Sequence, residues 1–238
     1  MYFFYIRHGD PIYDPDSITE YGKTQAEALS KRFAEIGLDK IYSSTSNRAV
    51  MTATPTAEKL GLTIERLDFA HEKYAGQDFG KVRDGKGTWC FFDPETVEKF
   101  KSAEIFAKGF EWYKDDFFKG ERYGGGIERV RKETVKLIES FGYIYDYEKR
   151  SYKSIKPQYK RVALFAHGGF GNAFLSCLLE IPYPLFTTRF AHLSTTGVCV
   201  IEIADEGENV VPLLLQYGND SHLYKENIDR KFNGKEVF

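Results

Sequence analysis

Two short apolar runs constrain this chain more than any other feature. Tyr2-Phe3-Phe4-Tyr5-Ile6 ends in Arg7-His8-Gly9, and Arg161-Val162-Ala163-Leu164-Phe165-Ala166 ends in His167-Gly168-Gly169. An apolar run of five or six residues closed by a polar turn reads as a buried strand. In an open α/β sheet, the loop at a strand's carboxyl end is where ligands bind. One strand-end histidine is more often a structural hydrogen-bonding residue than a reactive one. Two strands ending alike, however, place His8 and His167 at one mouth. A third run, Lys40-Ile41-Tyr42, leads through Ser43-Ser44-Thr45-Ser46-Asn47 to Arg48 just as a helix begins. The predicted fold is therefore α/β with cationic and imidazole groups converging on one sheet edge.

The rest of the chain keeps that rhythm. Thr19 is expected to cap a helix carrying Ala26, Leu29, Phe33 and Ile36 at helical spacing, and Gly37 to end it. A second helix is read over Ala49 to Leu60, bent or delayed by Pro55, followed by a strand over Ile64 to Leu67. Late strands are expected over His192 to Ile203 and Val210 to Tyr217, where β-branched and aromatic residues are frequent. The middle, about 81–160, is different: it is net basic and carries Trp89, Phe91, Phe92, Trp112, Tyr113, Phe117 and Phe118. Those aromatics read mainly as the packing of an insert's own core. Gly124-Gly125-Gly126 reads as a flexible hinge into a helix over Ile127 to Phe141, with Val130, Val135 and Ile138 inward. Without a following Lys-Ser/Thr it is no phosphate-cradling loop.

At 238 residues and a formal charge of −2, the chain suits one domain with an elaboration, and charge gives no reason to expect nucleic acid or an anionic membrane as partner. No apolar run approaches the roughly 18 residues of a membrane span. Met1 to Ile6 has neither a basic start nor a cleavage site, so a cytoplasmic protein is expected. Cys90, Cys177 and Cys199 are too few and too scattered for a disulfide framework or a zinc site, and read as reduced structural thiols. His8, His71, His167, His192 and His222 show no ligand-spaced pair on one helix, so neither a metal nor a cofactor is expected.

Taken in order, Arg7-His8-Gly9, Ile18-Thr19-Glu20-Tyr21-Gly22 with Gln25-Ala26, the segment Ser43-Ser44 to Thr52-Ala53 around Arg48, Glu72 ahead of Gly76, and His167-Gly168-Gly169 resemble the histidine phosphatase (phosphoglycerate mutase-like) superfamily. Asn219-Asp220 with Ser221-His222-Leu223 is similar to the ending of its short bacterial branch. The resemblance implies a three-layer α/β/α sandwich with a mostly parallel central sheet. It also implies one domain over 1–238 with a helical cap inserted at about 81–157, in the region that sets substrate choice.

The chemistry follows from the phosphate monoester, a dianion that needs fixed positive charge, hydrogen-bond donors and an in-line nucleophile. Arginine stays protonated and its planar fork matches two oxygens, which suits Arg7 and Arg48. His8 is the expected nucleophile, kept neutral by the neighbouring arginines. By resemblance, Gly168 and His167 complete the phosphate site, with His167 donating to the transferring group. Glu72 matches the general acid/base, and Asp78 is its backup. Asp10-Pro11, with Tyr13 or Asp14 nearby, departs from the Glu-Thr of the well-known mutases and resembles small bacterial phosphatases. The expected activity is therefore metal-independent hydrolysis of a small phosphorylated metabolite through phosphohistidine. The alternatives are a mutase using a bisphosphorylated primer and a catalytically silent phosphate-binding module.

Overall fold

The computed structural model describes residues 1–190, 192–232 and 235–236. The strand β1 (Tyr2–Arg7) leads through a small hairpin, β2 (Pro11–Ile12) and β3 (Ser17–Ile18), into α1 (Glu20–Ile36). Next come β4 (Lys40–Ser44), α2 (Asn47–Leu60), β5 (Ile64–Leu67) and α3 (Glu72–Phe79). A second hairpin, β6 (Gly80–Arg83) and β7 (Lys86–Trp89), precedes the short α4 (Pro94–Phe100) and α5 (Ala103–Lys108) and the long α6 (Tyr123–Glu139). A third hairpin, β8 (Tyr143–Asp146) and β9 (Ser151–Ser154), returns the chain to β10 (Arg161–Ala166) and α7 (Gly168–Leu178). The chain continues through α8 (Tyr183–Arg189), β11 (Val198–Glu202), β12 (Leu213–Asn219) and α9 (Ser221–Lys225).

Six strands form the central sheet in the order β12-β11-β1-β10-β4-β5. β1, β10, β4 and β5 run parallel, and β11 runs antiparallel to both of its neighbours. Strand alternation divides the core. Phe4 and Ile6 face α1 and α2, packing with Leu29, Phe33, Ala53 and Ala57. Phe3 and Tyr5 face the opposite layer, where Phe174 of α7 lies 5.7 Å and 5.5 Å from their rings. Burying β1 on both faces explains why it reads as a continuous apolar run rather than an alternating one.

The expected α/β sandwich with a mostly parallel sheet is present, and most of the first third follows the sequence reading. Thr19 caps α1 by accepting from the Gly22 amide. Several details differ. The late strands are shorter: His192 to Gly197 lies outside β11, and β12 starts at Leu213. In 192–197, β propensity yields to contacts beneath the site, such as the Thr196 amide donating to the Arg7 carbonyl at 3.1 Å. Gly124-Gly125-Gly126 is not a hinge but the first turn of α6. A Cβ on Gly124 would stand 2.6 Å from the Tyr113 ring, and one on Gly126 would stand 2.5 Å from Asp78 Cβ. Close packing therefore accounts for glycine at both positions.

Within the aromatic middle, Trp112 is buried among Phe100, Phe118, Tyr123 and Tyr183, with ring centroids 5.3–5.7 Å away. These rings are core residues, but not of an insert's own core: Tyr183 comes from α8, and the whole group belongs to the apolar cluster that holds Phe3 and Tyr5. Val130, Val135 and Ile138 join the same apolar cluster as Phe3 and Tyr5, so α6 belongs to the sandwich layer itself. Among the described residues, no helix is long and apolar enough to cross a membrane.

Candidate active site

The carboxyl ends of β1, β10 and β4 open onto one cleft of about 220 Å³. Arg7, His8, Tyr13, Arg48, Glu72, Gly168 and Gly169 line it, together with Trp89, Phe91, Phe92 and His192.

His8 follows β1 directly, with 3 % of its surface exposed. Its Nδ1 lies 2.8 Å from the Gly9 carbonyl. Because a carbonyl only accepts, Nδ1 carries the proton and Nε2 keeps its lone pair. Burial, then Arg7 and Arg48, push the imidazole well below the usual histidine range, so the ring is neutral near pH 7. A neutral ring with a free Nε2 lone pair is what nucleophilic attack requires.

His167 caps the start of α7 and is completely buried, its ring centroid 5.2 Å from that of His8. Tyr5 clamps it from inside the sheet, its hydroxyl donating to the His167 carbonyl at 2.6 Å. His167 Nε2 meets the Ser44 hydroxyl at 2.8 Å, and the Ser46 amide donates to that same hydroxyl at 3.2 Å. His167 Nδ1 has no protein hydrogen-bond partner among the described residues; in the tautomer where Ser44 Oγ–H donates to Nε2, it carries the proton and is a donor for a ligand. Burial and the adjacent His8 lower the His167 pKa well below its ordinary value.

The arginines are held on separate scaffolds. Buried Arg7 donates to the Leu193 carbonyl, which ties it to the 192–197 loop. Ser194 in turn donates to Asp220 at 2.8 Å, Gln25 bridges the Asp10 amide and Thr195, and Thr196 Oγ1 meets His222 Nε2 at 2.9 Å. Asn219 to Leu223, singled out in the sequence, thus braces the floor from outside the cleft. Arg48, one residue into α2, pairs with Asp16 at 2.6 Å. The Asp16 carboxylate also accepts from Ser46 Oγ at 2.8 Å and the Asn47 amide at 2.7 Å, capping α2. Partial burial works against ionisation of Asp16, but the bonds from Ser46 and Arg48 win and lower its pKa. Asp16 escaped the sequence reading. The helix start without an acidic first turn was its only trace.

Glu72 opens α3 and reaches across to the start of α7. Its two carboxylate oxygens accept the Gly169 and Phe170 amides at 2.9 Å and 2.8 Å. Burial raises its pKa above the ordinary carboxylate value, while those amides and the two arginines restrain the rise. Each oxygen keeps a second lone-pair direction, so the group can still hold a proton. Asp78 does not enter the cleft: it pairs with Arg129 at 2.7 Å beneath α6 and lies 3.7 Å from Arg122. Six residues along a helix rotate a side chain by about 240° relative to Glu72, which places the two on different faces. Tyr13 reaches the cleft with its ring 5.5 Å from the Arg48 guanidinium, while Asp10 instead accepts from Thr19 Oγ1 at 2.8 Å.

The model of the histidine phosphatase superfamily (branch 1) matches residues 5–88. The mitochondrial serine/threonine-protein phosphatase Pgam5 of Drosophila sechellia is 27 % identical over 157 residues, 60 % of this chain and 47 % of that protein. The chain thus spans about half the length of that curated relative. Among solved structures, mycobacterial glucosyl-3-phosphoglycerate phosphatase is 19 % identical at a TM-score of 0.57, covering 91 % of this chain and 98 % of that one. Phosphoserine phosphatase of Entamoeba histolytica, in complex with 3-phosphoglyceric acid, is 18 % identical at 0.57, covering 93 % and 98 %. The α-ribazole phosphatase of Shigella flexneri is 16 % identical at 0.59, covering 92 % and 97 %. At these identities the likeness to solved structures is one of fold.

Proposed function

Because the histidine phosphatase superfamily model matches residues 5–88 and the cleft gathers the residues that the resemblance singles out, we propose that this chain is a member of that superfamily and a phosphoric monoester hydrolase working through a phosphohistidine on His8. The observation that carries the proposal is the state of His8: neutral, with Nδ1 tied to the Gly9 carbonyl and both arginines lining the same cleft.

In the first step, His8 Nε2 attacks phosphorus and the bond to the leaving oxygen breaks. Arg7, Arg48 and His167 Nδ1–H stabilise the oxygens where charge accumulates, and Glu72 gives its proton to the departing alkoxide. In the second step, water attacks the phosphohistidine, its proton goes to Glu72, and the P–N bond breaks to restore His8. Two arginines and a histidine donor supply what the dianion requires, which supports the metal-independent reading. The Drosophila sechellia relative is a serine/threonine-protein phosphatase, which supports hydrolysis over transfer. We assign the roof of the cleft to the segment that carries Trp89, Phe91 and Phe92, the residues of the middle region that line it.

The testing experiment is phosphate release from p-nitrophenyl phosphate in the presence of a chelator. Chelator-resistant release supports the proposal. Transfer between hydroxyls of one phosphoglycerate with a bisphosphorylated primer would instead indicate a mutase, and phosphate binding without any turnover would indicate a sensor.

Catalysis on poor leaving groups needs neutral His8 and protonated Glu72 together. His8 stays neutral below the usual histidine range, and Glu72 stays protonated above the usual carboxylate range. The two forms overlap on the acid side of neutrality. The kcat/KM for glycerol 3-phosphate is therefore expected to peak at mildly acidic pH and to fall on the alkaline side as Glu72 ionises. Glu72→Gln should slow glycerol 3-phosphate by about 10²- to 10³-fold, slow p-nitrophenyl phosphate far less, and abolish the alkaline limb. Equal slowing of both esters would move the acid role to another group.

A further inference from the structure

Beyond the phosphate-binding residues, the cleft wall has one consistent character. Trp89 and Phe91 stack at 5.3 Å and 16°, Phe92 lies against Phe91 at 4.9 Å, and His192 meets Phe91 and Phe92 at 5.2 Å and 4.6 Å. Tyr13 stands beside Arg48. Burial lowers His192 to about 4, so it adds a neutral ring rather than a cation. Among the described lining residues, Arg7 and Arg48 alone carry positive charge, and both are committed to the phosphate end.

The inner part of this wall is anchored in the core, where Phe91 is buried and Trp89 packs against the same cluster as Phe100 and Trp112, whereas the outer ring, Phe92, is 46 % exposed beside the cleft. Phe92 packs on Phe91 and His192 with one side and leaves the other open at the mouth of the cleft, continuous with the buried part of the wall. The position of Trp89 is also defined. Its ring lies over the first turn of α7, so that a Cβ on Gly169 would stand 2.5 Å from its Cη2. The edge of the aromatic wall thus begins where Glu72 is held, which is where the leaving oxygen must depart in the proposed mechanism.

We infer that the aromatic wall formed by Trp89, Phe91, Phe92 and His192 is the leaving-group subsite, and that the substrate is a phosphate monoester whose leaving group is uncharged and flat or apolar. The inference rests on the phosphatase reading above. A flat ring gains area burial and stacking on such a wall. A carboxylate placed there loses water and finds no cation, which opposes its binding. An added hydroxyl is rejected only weakly by an apolar surface, so the discrimination falls on charge and shape.

The test compares two substrate pairs in wild type and in Phe92→Ala, whose partly exposed site tolerates truncation. 2-Naphthyl and phenyl phosphate differ in ring area with leaving groups of similar acidity, whereas glycerol 3-phosphate and 3-phosphoglycerate differ by one carboxylate. In wild type, kcat/KM should favour the naphthyl ester severalfold and glycerol 3-phosphate by about tenfold. Phe92→Ala should shrink the naphthyl preference towards unity, mainly through KM. Phe92→Arg, which supplies the missing cation, should raise the relative kcat/KM for 3-phosphoglycerate by about tenfold. Flat ratios, or a preference for 3-phosphoglycerate, with His8-dependent turnover intact would overturn the aromatic subsite and leave the phosphatase reading standing. Absence of turnover on all four esters would overturn both.

Discussion

Replacing His8 with alanine is expected to abolish turnover and, with it, acid-labile phosphate on the chain. Removal of a covalent nucleophile from a hydrolase costs on the order of 10⁴- to 10⁶-fold, and no other group here offers a neutral, correctly held nitrogen. His167 is the nearest alternative, but its Nε2 is engaged by the Ser44 hydroxyl and, among the described residues, no backbone carbonyl holds its Nδ1 as Gly9 holds that of His8. The fold should survive the substitution. His8 is buried without a charge partner, and the neighbouring Gly9 carbonyl is its hydrogen-bond acceptor, so the melting temperature should change little or rise. Quench experiments with a labelled ester on wild type and His8→Ala check this. A variant that still accumulates phosphoenzyme would remove His8 from the mechanism.

Arg48→Ala is the second large effect. Loss of one preorganised donor to a developing anion costs about 10²- to 10³-fold in kcat, or roughly 2.7–4 kcal/mol. Here the loss should lie at the upper end, because truncation also leaves Asp16 without its guanidinium partner, a negative charge beside the phosphate-binding residues. Asp16→Asn in the Arg48→Ala background should therefore recover about tenfold. The same change in wild type should reduce activity by loosening Arg48 and the start of α2. A double-mutant cycle on kcat/KM for phenyl phosphate measures the coupling. Additive effects would mean that Asp16 does not act through Arg48.

The parts of the site that were legible in the sequence share a physical cause. Arg7, His8 and His167 stand where an apolar run stops, and a parallel strand buried on both faces must end in a polar turn at its carboxyl end. Arg48 was legible because a helix starts there. Asp16 was not, since its partnership with Arg48 spans 32 residues and depends on how the β2–β3 hairpin folds over α2. The exclusion of Asp78 depended on helix register, which spacing in an uncertain segment does not fix. Residues 192–197 were misread because local β propensity carries no information about the backbone bonds that Thr196 and Leu193 make to β1. The aromatic wall shares one composition with the core rings of the same segment, and only the folded chain separates the residues that look inward from those that look into the cleft.

The anchoring of Glu72 on the Gly169 and Phe170 amides has a bearing on how this protein can change. Amides belong to every residue type but proline, so no ordinary side-chain replacement at either position deletes the donors themselves. Adding bulk at Gly169 pushes against Trp89 instead. The proton affinity of the Glu72 carboxyl is thereby written into the path of the backbone rather than into a neighbouring side chain. Random point mutation is a poor instrument for retuning the working pH of such a centre. Insertions or deletions in the turn between β10 and α7, which move the amides bodily, are where directed evolution towards alkaline operation should look.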